Sequence, residues 1–213
     1  RAVLRATALG AGAVAAPGLL TSATSGPLAH AAGRPRPPRI LRGDTYPVGL
    51  WVAPPPHETT VERYAEIAAA GFTFVIGIDG CGGFCTPGET VTADNAPLLN
   101  ASAANGLDAL VFDKRIGHIH TYPQEQWPEI IESTLREYQG FPAFAGFDIR
   151  DEPNAALFPQ IGAVNQGLRG LDPDVLGYVN LFPTYASPDM LGTPTYEEHL
   201  ARYVAEATPD FIS

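Results

Sequence analysis

The sequence predicts a parallel α/β fold, a (β/α)8 TIM barrel of which the chain carries about six βα strands. Three observations predict it. Apolar runs of strand length alternate with helical patterns along the chain. The runs are nearly continuous in apolar residues, as strands covered by helices must be. No run leads into a phosphate-type glycine loop of the kind that marks many doubly wound sheets; the nearest candidate, Gly80-Cys-Gly-Gly-Phe-Cys85, breaks the G-x-G-x-x-G pattern at its last position. At 213 residues the chain can bury a sizeable core. Its net charge of −10 argues against nucleic acid or an anionic membrane as a partner.

Residues 1–31 read as an export signal. Arg1 and Arg5 make a positive start, an Ala-rich apolar run follows, and Ala29-His30-Ala31 has the small-x-small pattern of a cleavage site. The start also resembles a twin-arginine signal, so a secreted protein is expected. The apolar run is weak for a membrane span, which needs about 20 residues, and no stable membrane insertion is expected after cleavage. Residues 32–45, rich in Pro and Arg, read as an extended linker, and 46–213 as the N-terminal part of the barrel domain.

The elements follow in order. Val48–Val52 is the first strand, and Thr59-Thr-Val-Glu62 is a capping box for the helix after it. Phe72–Ile78 is the second strand, followed by the loop 79–89 with Cys81 and Cys85. Two cysteines are too few ligands for a zinc site by themselves, and the spacing leaves a small disulfide open. A helix over Ala96–Asn105 leads to the third strand, Leu107–Phe112. A helix over Trp127–Tyr138 leads to the fourth, which starts at Phe144. Pro159 opens the next helix as a first-turn proline. Val175–Phe182 is the fifth strand, Thr195-Tyr-Glu-Glu198 is a second capping box, and Asp210–Ser213 starts a sixth strand. Six strands of eight lead to the expectation that the native protein continues beyond Ser213.

The chemistry concentrates in Phe144-Ala-Gly-Phe-Asp-Ile-Arg-Asp-Glu-Pro-Asn154. Strand alternation puts Phe147 and Ile149 on one face and Asp148, Arg150 and Glu152 on the other. Such a polar face cannot pack on apolar helices without a large desolvation cost, so it lines a ligand-accessible space. Pro153 ends the strand and leaves Glu152 at its C-terminal lip, where parallel α/β folds hold their chemistry.

This stretch resembles the clan A (β/α)8 retaining glycoside hydrolases, in which the acid/base Glu ends strand four, usually in Asn-Glu-Pro. Here Asp151-Glu152-Pro153 stands at that place. The resemblance implies that Glu152 is the general acid/base, that a poly- or oligosaccharide is the substrate, that no cofactor or metal is needed, and that the nucleophile lies on strand seven, beyond Ser213. Asp151 stands where the family's Asn contacts the sugar's 2-hydroxyl, and Arg150 and Asp148, on the polar face of the strand, are further candidate substrate contacts. Asp151 departs from the usual Asn, since it accepts but does not donate a hydrogen bond. Asp148 and Asp151 would raise the pKa of Glu152, and Arg150 would lower it.

Other residues have two readings each. Trp51 is a sugar-stacking platform or a core tryptophan. Asn180, sharing a face with Tyr178 and Phe182, points to the barrel mouth or is satisfied by backbone. His120 contacts substrate or is a plain loop histidine. Tyr185 walls a cleft or covers a loop. Asp113-Lys114-Arg115 is a substrate-facing cluster or a solvated ion-pair turn. Two alternatives stand beside hydrolysis: a non-catalytic carbohydrate-binding barrel, and a metal-dependent hydrolase using His118 and His120.

Overall fold

The computed structural model describes residues 36–77 and 95–213. The expected export signal and the loop with Cys81 and Cys85 lie outside the described residues.

Five parallel strands form one sheet in the order β1-β2-β3-β4-β5: β1 (Gly49–Leu50), β2 (Phe74–Ile76), β3 (Asp108–Phe112), β4 (Phe144–Asp151) and β5 (Leu176–Asn180). Each strand pairs with its sequence neighbour, and the order never reverses. A doubly wound sheet needs a reversal to place helices on both faces. Here the helix residues join one cluster with Val75, Ala109, Val111, Phe147, Ile149 and Val179 on a single face of the sheet. The other face carries Ile76, Leu110, Ala145, Leu176 and Tyr178 in a second cluster, which no residue of an α-helix joins. This is the wall of a partial (β/α)8 barrel, with an outer helix-covered face and an inner face.

The helices are α1 (Val61–Ala69), α2 (Ala96–Ala104), α3 (Lys114–Gly117), α4 (Trp127–Tyr138), α5 (Phe158–Leu171), α6 (Pro188–Leu191) and α7 (Tyr196–Arg202). Their sequence signals mostly act as expected. Pro159 sits in the first turn of α5, and Thr195 caps α7 by accepting the Glu198 N–H at 3.2 Å. The first cap falls one residue late: Thr60, not Thr59, accepts the Arg63 N–H, because the Thr59 hydroxyl donates to the carbonyls of Pro54 and Pro55.

Three readings change. Asp210–Ser213 forms no strand; Ser213 donates its hydroxyl to the Val179 carbonyl at 2.7 Å, and Phe211 lies 5.8 Å from the Tyr178 ring. Among the described residues the sheet thus has five strands, and the strand expected at Asp210–Ser213 is not one of them. Phe182 lies past the end of β5 and packs on His199, so it does not share a face with Asn180. The stretch read as a linker is docked along residues 39–42. Ile40 is buried in the inner cluster, Arg39 donates to Asp108 and to the carbonyls of Pro142 and Ala143, and Arg42 pairs with Asp174. These anchors lie at the N-terminal ends of β3, β4 and β5, so the segment closes the bottom of the sheet.

Candidate active site at the strand ends

The site is built by β4 and β5. They approach closely because Gly146 has no side chain: a Cβ there would meet the Leu176 carbonyl oxygen at 2.0 Å, and its φ of 154° is one that side-chain-bearing residues rarely adopt. The pairing then slips. Asp148 pairs with Tyr178, Arg150 with Val179 and Asp151 with Asn180, so one extra residue of β4 is accommodated between Asp148 and Arg150. A bulge of this kind reverses which face the following residues meet.

That slip corrects the expected inward face. Asp148 registers with Tyr178 of the inner cluster. Beyond the bulge it is Asp151, not Arg150, that returns to this side, where its Oδ1 accepts a hydrogen bond from Asn180 Nδ2 at 2.8 Å. Arg150 registers with Val179 of the helix-side cluster and lines a recess there with Ile161 and Val164. His120, exposed in a 3-10 turn over Ile119–Thr121, lines the same recess. The expected group thus divides: Asp148, Asp151 and Asn180 meet on one side of β4, and Arg150 and His120 on the other.

Glu152 follows β4 directly. It is exposed, and its backbone N–H donates to the Asn180 carbonyl at 2.8 Å, which continues the β4–β5 ladder to the lip of the sheet. Its φ is +44°, in the left-handed region that costs a residue with a Cβ on the order of 1–3 kcal/mol. Val52, next to Trp51 after β1, is also left-handed at +67°. Such strain persists only where the surroundings fix the backbone. The Glu152 backbone is held on one side by its ladder bond to Asn180, and two residues on stands Asn154, a residue that sequence reasoning passed over. Its side-chain oxygen accepts the Ala156 N–H at 3.0 Å, and its nitrogen donates to the carbonyls of Asp189 and Met190 at 3.1 and 3.0 Å. It thereby ties the turn after Glu152 to α6. The readable signal was an Asn directly after Pro153 and before a helix.

The carboxylates act on one another. Asp148 is 2% exposed, and its Oδ1 is buried without a hydrogen-bond partner among the described residues. Burial, and then the negative charge of Asp151, lifts its carboxyl to about 7. Glu152 is raised as well, first by the desolvation of its limited burial and then by Asp151. Arg150 takes no part in that shift, consistent with its place across the strand. Beside the carboxylates, the Trp51 ring stands 6.0 Å from Tyr178, and Trp51 is 38% exposed. The site therefore offers one exposed carboxyl at a strand lip, a second carboxyl and an amide beside it, and an aromatic wall.

The remaining candidates resolve to structural roles or to none. Asp113 caps α3 through the Arg115 N–H, pairs with the Arg115 guanidinium and accepts from the Tyr138 hydroxyl at 2.9 Å. Arg115 also reaches Glu137, so this cluster is an ion-pair turn on the helix side. Tyr185 is 87% exposed. His118 and His120 lie with ring centroids 6.1 Å apart, but among the described residues no group of three or more His, Cys, Asp and Glu is arranged to hold a metal.

No protein-family model matches the chain, and no curated protein does. Among solved structures, a family 39 glycoside hydrolase from the gut symbiont Bacteroides cellulosilyticus WH2 aligns with 62% of this chain at 17% identity and a TM-score of 0.42. The alignment takes in 31% of that protein, so this chain spans less than a third of its length. A protein described as a phosphonomutase, from Burkholderia cenocepacia J2315, aligns with 78% of this chain and 68% of its own at 16% identity and a TM-score of 0.45. Likeness at this level passes no chemistry to the chain, and the fold assignment rests on the strand order itself.

Proposed function

We propose that the chain belongs to a secreted retaining glycoside hydrolase that cleaves O-glycosidic bonds in a poly- or oligosaccharide, with Glu152 as its general acid/base. The observation that carries this is Glu152 itself: a carboxyl held in a left-handed backbone at the C-terminal lip of the fourth strand, with its pKa raised by burial and by Asp151. A retaining mechanism needs one carboxyl that keeps its proton long enough to give it to the leaving oxygen, and a second that attacks the anomeric carbon. Glu152 has the first character. Its proton goes to the glycosidic oxygen as the C–O bond breaks. The resulting carboxylate later takes a proton from the water that releases the sugar. No residue of this chain is assigned as the nucleophile, and the reaction as proposed uses no cofactor. Asp151 and Asn180 adjoin Glu152, and together with Trp51, which stands against Tyr178 of the neighbouring strand, they are the candidate sugar contacts. Secretion rests on the reading of residues 1–31; among the described residues no helix is long and apolar enough to cross a membrane.

The test is leaving-group dependence in the intact protein. Replacing Glu152→Gln removes the proton donor and leaves the shape. Cleavage of alkyl glycosides should fall by roughly 10²–10⁴-fold. Cleavage of aryl glycosides with strongly acidic leaving groups, which depart without protonation, should fall far less in its first step. An equal loss on both substrates, or no loss, sinks the assignment.

A second reading, a glycan-binding barrel without turnover, is favoured by one observation: the residue before Glu152 is an acceptor, Asp151, already engaged by Asn180. Binding of an oligosaccharide with no new reducing ends would select it.

A further inference from the structure

We propose that His199 is a positioning residue for the strand lip: it pins the C-terminal end of α6, to which the turn after Glu152 is tied, and acid releases the pin. The bearing of this on catalysis rests on the reading of Glu152 as the general acid; the pin itself does not.

The pin is one hydrogen bond made across a short connection. His199 lies near the start of α7, and its Nδ1 reaches back to the carbonyl of Leu191, the last residue of α6, at 2.9 Å. A carbonyl only accepts, so Nδ1 carries the proton and Nε2 is left as a lone pair. The next residue, Gly192, turns the chain at a φ of +71° and leaves room for Asn154: a Cβ there would meet Asn154 Oδ1 at 2.3 Å. Asn154 donates to the Asp189 and Met190 carbonyls. Carbonyls at the end of a helix have no partner inside it. Those of Asp189 and Met190 are taken by the turn after Glu152, and that of Leu191 by His199. α7 also touches this turn directly, where Arg202 donates to the Ala155 carbonyl at 3.3 Å.

The surroundings of the ring make the pin sensitive to acid. His199 is fully buried, and its Nε2 has no hydrogen-bond partner among the described residues. The ring of Phe158 lies 4.8 Å away, edge to face, and those of Phe182 and Tyr196 each lie 6.2 Å away. A second proton would make a charged donor with no acceptor inside this aromatic cage, at the full cost of its desolvation. The protonated ring finds an acceptor only by leaving the cage, and leaving breaks its bond to Leu191. The charged neighbours do not prevent this. Arg202, on the same helix, is itself a cation. Asp189 of α6, Glu197 and Glu198 of α7 and Glu206 after it do not contribute to the shift, α5 meets the ring with Phe158, and the chain past β5 meets it with Phe182. Burial lowers the imidazole below the usual histidine range; the Leu191 carbonyl opposes that and Arg202 adds to it. An unfolded histidine takes its proton at about pH 6.5, before the folded one does. The folded arrangement is therefore whole above that pH and loses stability as pH falls below it. A helix as short as α6 does not hold its end unaided.

The experiment is a pH titration of the intact protein, followed by heteronuclear NMR of the His199 ring and the Asn154 side-chain amide. As His199 takes its proton, below about pH 6.5, the Asn154 signals should move in a step with the same midpoint, because their acceptors on α6 shift. His199→Asn can donate to Leu191 in place of Nδ1 but takes no proton, so in this variant the step should vanish. His199→Leu, which cannot donate, should show the acid-form Asn154 signals already at neutral pH. Asn154 signals that stay put through the His199 titration, a step that persists in His199→Asn, or a ring that stays neutral until the protein unfolds overturns the proposal. The wild type and His199→Asn decide the matter even where His199→Leu fails to fold. On a glycoside that the intact protein cleaves, wild-type kcat relative to that of His199→Asn should fall by up to about tenfold per pH unit below the midpoint, with KM held within about twofold. An absence of hydrolysis from every one of these proteins strikes the reading of Glu152, while the Asn154 signals still judge His199.

Discussion

Asp148 and Glu152 stand four positions apart and face opposite problems, one buried without a partner and the other exposed under strain. For Asp148 the folded carboxyl titrates at about 7, against about 3.9 in an unfolded chain. At pH below about 4 both states hold the proton. Between about 4 and 7 the unfolded state releases it while the folded state keeps it, so stability falls as pH rises, by about 1.4 kcal/mol per unit and a few kcal/mol in all. Asp148→Asn removes this titration. Relative to the wild type, it should gain a few kcal/mol on going from pH 4 to pH 8, measured by urea denaturation at each pH. A difference between the two proteins that does not change with pH would remove Asp148 as a protonated interior acid. For Glu152, a glycine relieves the left-handed φ of +44°. We expect Glu152→Gly to raise stability by about 1 kcal/mol while abolishing hydrolysis. Lost stability instead would mean that the side chain is kept for packing. The Glu-Pro pair at a strand end was legible from the sequence, because proline stops a strand wherever it occurs. The pKa of Asp148 was not, because it depends on what the neighbouring strand covers.

At the scale of the element, the fourth strand behaves as two half-strands joined at a bulge. Simple alternation reads Phe147, Ile149 and Asp148 correctly and then fails at Arg150, because one extra residue inverts every face beyond it. Nothing in the local composition marks the slip; it depends on the pairing with β5 and the close approach at Gly146. The second half-strand is followed by Asn154, whose three side-chain hydrogen bonds join the turn after Glu152 to the 3-10 turn before α5 and to α6. Removing them with Asn154→Ala should cost about 1–2 kcal/mol, the usual loss for a capping side chain with further backbone partners. Because the turn carries Glu152, the same change should lower kcat on any substrate the intact protein cleaves more than it raises KM. If stability falls while kcat holds, Asn154 is a fastener with no bearing on the acid, and the strand lip is positioned by the β4–β5 ladder alone.

Taken as a whole, the molecule is a sheet with a helix-covered face and an inner face, and the sequence discloses the two unequally. The helix-covered face was readable because its strands and helices repeat a pattern: Val164, Leu168, Ile131 and Leu135 fall at helical spacing and are buried. The inner face was not, since its cover comes from segments with no period. Phe211 packs there without forming a strand, and the Pro- and Arg-rich stretch supplies Ile40. Composition made that stretch look like a linker; its role follows from one apolar side chain flanked by two arginines whose carboxylates, Asp108 and Asp174, lie far along the chain. Ile40 is 7% exposed against Ile76, Leu110, Ala145, Leu176 and Tyr178. Truncating it should leave a cavity under the inner face, and Ile40→Ala should cost about 2–4 kcal/mol in urea denaturation. Arg39→Ala and Arg42→Ala, which break half-exposed ion pairs, should each cost about 1 kcal/mol or less. That ordering separates a docked plug from a tether. In a tether all three changes fall within a few tenths of a kcal/mol of zero. In a plug the isoleucine dominates, because apolar volume closes the bottom of the sheet and the charges only set its position.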